Sequence, residues 1–175
     1  MSWEALAAIG SLFSGVVLAA AALAAVIQIK HLRAANQLVA FQDINRVLNS
    51  DEFQGAVAFV VKELPNRLRD ETFVKELTGT EPLDRRSHPE VWLGDFWDQI
   101  GALIGLGVLE SPLFLAANMY MCPIHWQRLL PVATLVRREE PLLWAEFEHL
   151  AKLCDQYARK LAVGAPWTVR VRHMK

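Results

Sequence analysis

Residues 5–29 form one unbroken apolar run with no formally charged side chain, containing Leu6, Ile9, Leu12, Phe13, Val16, Leu18, Leu23, Val26 and Ile27. As a helix rising ~1.5 Å per residue it reaches ~37 Å, against ~30 Å of bilayer hydrocarbon. That predicts a transmembrane anchor over residues 1–29. Trp3 and Glu4 flank one end; Lys30, His31 and Arg33 form a basic collar at the other. Cations are retained on the cytoplasmic side, so the pattern places the N-terminus outside and everything after Lys30 inside. A cleaved leader needs a basic segment before a shorter apolar core, whereas here the first charge is Glu4; Ala19 to Ala25 does have cleavage-site composition. A buried core helix is the other reading of the same run. Ser11, Gly15 and Ala19 lie four apart, a spacing that lets a second helix approach closely, although small residues are ordinary in membrane spans.

Past the collar, the apolar period becomes helical and interrupted. No Pro or Gly falls between Lys30 and Gln54, so a stalk over residues 30–50 is expected, with Leu38, Phe41, Ile44 and Leu48 on one face. Asn49 or Ser50 caps a second helix through Phe53, Val57, Val60, Val61 and Leu64, ending at Pro65. A short helix is expected near residues 71–77, then a loop over 78–88 rich in Gly, Pro and Arg. Pro89 opens a helix to about Leu109 whose inward face is Trp92, Phe96, Ile100, Leu103 and Leu106. Gly101 and Gly105 on it imply a close helix neighbour. Ser111 and Pro112 start another short helix. Pro123 opens the next, with Trp126, Leu129, Leu130, Ala133 and Val136 inward and Pro131 inside as a kink. Pro141 starts the last long helix, lined by Leu143, Phe147, Leu150, Cys154, Tyr157 and Leu161 and stopped at Gly164. The fold class is all-α: one N-terminal transmembrane helix followed by a small cytoplasmic helical bundle, residues 51–164. A basic tail, residues 165–175, closes the chain.

Composition narrows function without naming one. The 175 residues carry a net charge of -1 and are 53% hydrophobic, which excludes a disordered acidic or basic tail protein and gives nucleic acid little electrostatic purchase. Two cysteines are too few for a disulfide framework and suit a reducing compartment. The tail holds Arg170, Arg172 and Lys175 with no acid, and Trp167 as an interfacial aromatic, so it can meet an anionic leaflet. The corner Arg137, Arg138, Glu139, Glu140 reads as self-paired and solvated; the alternative is an Arg137–Glu148 pair beside Trp126 that fixes the last two helices.

Phe96-Trp97, Ile100-Gly101, Gly105-Leu106, Trp126, Leu130-Pro131, Arg137, Pro141, Phe147-Glu148 and Leu150-Ala151 together resemble a family of uncharacterised bacterial proteins, a domain of unknown function, number forty-seven sixty. The resemblance spans most of the chain and rests on aromatic and aliphatic positions. It implies an N-terminal membrane helix before a helical cytoplasmic domain, and brings no activity with it.

Candidate chemistry is sparse. Glu146 and His149 are a Glu-x-x-His pair, the helical spacing used twice over in di-iron bundles, but no second copy occurs. Cys122 and His125, with His149 and Cys154, would make a zinc site only if the ligands converged tetrahedrally. Gly-rich phosphate loops and nucleophile elbows are absent. No cofactor is expected. The reading is a single-pass inner-membrane adaptor, scaffold or regulatory subunit whose partners are the lipid bilayer and another protein, or itself. The alternatives are a membrane-bound metal-dependent enzyme or metal sensor, and a stress or phage-defence effector.

Overall fold

A computed structural model describes residues 3–79, 84 and 86–164. The basic tail, with Trp167, Arg170, Arg172 and Lys175, and Pro82 and Arg85 of the 78–88 loop lie outside the described residues. Among the described residues there are eight α-helices and no strand: α1 (Trp3–Leu48), α2 (Asp51–Lys62), α3 (Leu64–Arg67), α4 (Glu71–Thr78), α5 (Pro89–Gly105), α6 (Ser111–Asn118), α7 (Met121–Val136) and α8 (Ala145–Gly164). The chain forms two compact units, Met1–Gln42 and Asp43–Lys175.

Within the first unit, α1 is apolar on all sides ahead of the basic collar at Lys30. Leu12, Phe13, Val16, Leu18, Leu23 and Val26 are all exposed. Gly10–Leu48 is long and apolar enough to cross a membrane. In water, so much uncovered aliphatic surface has no compensating burial.

The second unit is a helical bundle that starts with the last turn and a half of α1, where Ile44 and Leu48 are buried. Short caps separate its elements. Ser50 accepts from the Phe53 N–H at 3.2 Å to start α2, and Asp70 accepts from the Thr72 N–H at 2.9 Å to start α4. Pro65 does not end the second helix, contrary to expectation. α2 stops at Lys62, and Pro65 sits in the first turn of α3, where its missing N–H costs nothing.

α5 likewise ends earlier than expected, at Gly105. Gly107 takes φ +68°, its N–H bonds Ile104 O at 3.0 Å, and the Val108 N–H reaches back to Leu103 O at 2.9 Å. This pair of bonds is the Schellman closure, which needs a left-handed residue one past the cap. The last helix starts at Ala145 rather than Pro141, because Trp144 has φ 52° and interrupts the helical path.

The packing of α5 decides the core. It lies chiefly against α8 and next against α2, while α7 also packs on α8. Its buried line is Leu93, Trp97 and Ile100 together with Gly94 and Gly101. Of the expected inward line, Ile100 is buried, whereas Trp92 and Phe96 are half-buried and Leu106 is 78% exposed. In α7, Trp126, Leu129 and Ala133 are buried as expected, but Leu130 is exposed. In α8, Phe147, Leu150 and Cys154 form the buried line.

Candidate functional site

The positions that distinguish this sequence meet where α5, α7 and α8 join. Trp97 and Phe147 stack at 6.0 Å with their planes 19° apart, and Trp126 meets Phe147 edge-on at 5.2 Å. The Arg137 guanidinium lies over Trp126 at 5.4 Å. Its three nitrogens are all engaged: Nε donates to Leu143 O at 2.8 Å, one terminal nitrogen to Glu148 Oε2 at 2.6 Å, and the other to Trp144 O at 3.3 Å. Such a fork fixes the α7–α8 turn in a way an ammonium cannot. Glu148 also accepts from Lys152 at 2.6 Å, and these two cations hold its carboxyl below the usual range, Lys152 most of all. The self-paired corner is therefore corrected: Arg137 is half-buried and tied to Glu148, while Arg138, Glu139 and Glu140 are exposed.

α5 meets α8 through two glycines and two aspartates. A Cβ on Gly94 would overlap the Trp144 indole, and one on Gly101 would overlap the Glu146 backbone. Gly105 is different: it is exposed, and its nearest neighbour, Glu146 Oε2, lies at an ordinary 3.6 Å. Asp95 Oδ1 accepts from Trp144 Nε1 at 3.0 Å, and Asp98 Oδ1 accepts from the Phe147 N–H at 3.0 Å. The latter caps α8 from a different helix. Neither aspartate nor Gly94 stands out in the sequence; the only local cue is the Gly-Asp-x-x-Asp spacing before Gly101.

The five residues considered as metal ligands do not converge. Among the described residues no group of three His, Cys, Asp or Glu side chains has the geometry to hold a metal ion. Cys122 and Cys154 are buried beside one another, and burial, reinforced by that contact, pushes the Cys122 thiol well up. His125, although one turn from Cys122, is turned to Trp97, whose Nε1 donates to His125 Nδ1 at 3.0 Å. Burial, with Arg128 adding a smaller effect, lowers the His125 pKa to about 4, so the ring is neutral at pH 7. Glu146 and His149 are exposed on α8. Helix packing thus pairs the two cysteines, turns His125 to Trp97 and leaves Glu146 and His149 at the surface.

Two surface features remain. A concavity of about 490 Å³ is lined by Val47, Trp92, Asp95, Phe96 and Gln99, with the Trp92 and Phe96 rings stacked at 6.0 Å. A second, of about 390 Å³, runs along Asp95, Asp98, Glu140 and residues 141–144, where Leu142 is 82% exposed. Both combine carboxylates with apolar side chains. Within the first unit, Ser11, Leu12, Gly15, Val16 and Ala19 line a shallow groove on α1.

A helical bundle preceded by one long apolar helix, with a Trp–Phe–Trp–Arg seam, is the class of protein these observations define. The family model described as Domain of unknown function (DUF4760) matches residues 15–154, and the chain belongs to that family. Comparison with curated proteins and with solved structures gives no significant match. The matched segment covers the seam residues Trp97, Trp126, Arg137, Phe147 and Glu148, and also Pro131 and Pro141. Most of these are core or turn positions; Pro131 and Pro141 are exposed.

Proposed function

We propose that this protein is a single-pass bacterial inner-membrane protein that holds a cytoplasmic helical domain at the bilayer and binds another protein through it. The observation that carries the reading is α1: its aliphatic side chains are uncovered along the apolar run, and a bilayer supplies the burial they lack. Lys30 and Arg33 favour an inside orientation for the bundle, with Trp3 near the opposite interface. The groove at Ser11, Gly15 and Ala19 suits a second apolar helix, from another copy or from a partner.

On the bundle, the partner surface we favour is the pair of concavities that share Asp95. A stacked Trp92–Phe96 pair beside carboxylates suits a partner segment that mixes basic and apolar side chains. The role is then an adaptor, scaffold or regulatory subunit. Membrane vesicles washed with alkaline carbonate should retain the full chain, and protease added outside should leave the bundle intact. Release of the intact chain as a water-soluble monomer would overturn the anchor. A photo-crosslinker at Gln99 or Leu142, activated in native membranes, should trap a second polypeptide, and no adduct at either position would remove the partner surface.

A further inference from the structure

The uncovered apolar side chains of the bundle are gathered in one segment. Among its described residues nine large apolar side chains are exposed, and six of them, Leu106, Val108, Leu113, Tyr120, Met121 and Ile124, fall within residues 106–124; the other three are Val61, Leu130 and Leu142. The helix in this segment is α6, whose inner side is Phe114, Leu115 and Asn118. Its outer side, Leu113, Ala116 and Ala117, is exposed. Met119 and Tyr120 keep right-handed helical backbone angles, and the Ile124 N–H bonds Tyr120 O at 3.4 Å, so the helical path bends into α7 without leaving that region. Leu113, Ala117, Tyr120 and Ile124 therefore follow at spacings of four, three and four and form one ridge.

The ridge is uncharged. Between Glu110 and Arg128 no side chain carries a formal charge. His125 is buried and neutral, and Asn118 is buried with its amide donating to Phe114 O at 3.1 Å. On the ridge itself the Tyr120 hydroxyl is the sole polar group of a side chain. A protein interface carries about one hydrogen bond per 100–200 Å², and this face has almost nothing with which to make them. The boundary of a bilayer asks instead for apolar bulk, an aromatic with a polar tip, and a cation at the headgroups. Leu113 and Ile124 give the first, Tyr120 the second, and Arg128, exposed one turn beyond Ile124, the third.

We propose that α6 is a second membrane contact: its outer ridge, from Leu113 to Ile124, lies in the headgroup–acyl boundary of the bilayer that α1 enters. The inference rests on the anchor reading of α1. Residues 30–42 separate the apolar run from the bundle, and as part of the α1 helix they reach ~20 Å. On so short a tether the bundle meets the leaflet as an intramolecular event, so a contact of a few side chains suffices where a free protein would need more. Glu110, the one acid near the ridge in sequence, precedes α6 as its N-cap residue and lies off the ridge positions.

The unaltered full chain tests this in phosphatidylethanolamine–phosphatidylglycerol vesicles that hold a phospholipid with a photoreactive diazirine in its acyl chain. After illumination, digestion and mass spectrometry, adducts should fall in residues 5–29 and again in 106–124, with few in α2 or α8. Adducts in 5–29 alone overturn the second contact and leave the anchor standing; adducts in neither segment overturn both. Labelling of α2 and α8 as heavy as that of 106–124 is undirected collision and overturns it too. Leu113→Glu combined with Tyr120→Glu alters two exposed positions and should cut adducts in 106–124 about tenfold while those in 5–29 stay unchanged. An undiminished yield in that variant overturns the ridge as the contact. A second copy is the competing occupant. A benzophenone side chain at Ala117 should give a lipid adduct, and a dimer-sized adduct in its place overturns the proposal.

Discussion

Asp98, in the middle of α5, accepts the backbone N–H of Phe147 at 3.0 Å and so supplies the N-terminal cap of α8 from 49 residues away. A helix leaves its first N–H groups without internal partners, and those of α8 come after a residue in left-handed conformation. The cap thus couples helix start to helix packing. Asp98→Ala should lower unfolding free energy by about 1–2 kcal/mol, the range for loss of a side-chain cap. Asp98→Asn, which keeps an acceptor oxygen, should recover most of it. Urea titration followed by tryptophan fluorescence reads both; equal loss in the two variants would contradict the capping role.

The glycines should divide into two groups. Gly94→Ala and Gly101→Ala force a methyl into the Trp144 indole and the Glu146 backbone, and each should cost about 1–3 kcal/mol by overpacking. Gly55, exposed in the middle of α2 with nothing near its missing Cβ, should behave oppositely. Gly55→Ala is expected to gain about 0.5–1 kcal/mol through helix propensity alone. Thermal unfolding of the three variants orders them directly.

Arg137 should not tolerate lysine. Three donors reach three acceptors, and the Arg137 and Glu148 side chains are only 25% and 27% exposed. Arg137→Lys leaves at least two of those carbonyl and carboxylate oxygens short of a donor, and about 1–2 kcal/mol should be lost. A double-mutant cycle with Glu148→Gln should give a coupling of ~1 kcal/mol. A coupling of zero would mean the pair is only a surface contact.

Acid should weaken the bundle through His125. Its folded pKa, about 4, lies below the ordinary 6.5, so between those values the unfolded chain binds the proton and the folded chain does not. Stability is therefore full above about pH 6.5 and falls as pH drops toward 4, by up to about 3 kcal/mol. Glu90 has the opposite sign. Its raised pKa makes the folded chain keep a proton that the unfolded chain has lost, so its contribution improves as pH falls through that raised value. Denaturation midpoints of the natural chain and of His125→Gln, compared across pH, isolate the histidine. Gln retains an acceptor for Trp97 Nε1 and removes the titration, and its curve should be flatter below pH 6.5.

Most element boundaries are legible in the sequence because capping residues and prolines act locally. Ser50, Pro89 and Pro112 mark starts where the structure has them, and the absence of Pro and Gly after Lys30 correctly extends the first helix to Leu48. The errors are those in which a distant residue wins. The apolar pattern of α5 points Trp92 and Phe96 inward, whereas Gly94 and Gly101 bring α8 onto the adjacent line and rotate the buried face. Pro141 is a reasonable first-turn residue, yet Trp144 is held in left-handed backbone by its burial and the helix waits until Ala145. Cys122 and His125 share a face, as spacing requires, but α8 takes the cysteine and α5 takes the histidine. Nothing in a local window reveals that partition.

Trp144 sets a contradictory demand on its own position. Its backbone angle favours glycine, while its indole fills the notch that Gly94 leaves and donates to Asp95. Glycine at 144 would relax the main chain and empty the notch; any other residue would keep the torsional penalty and lose the fit. Positions 94 and 144 should therefore covary across descendants of this chain, so that a bulkier side chain on one helix appears only together with a smaller one at the turn.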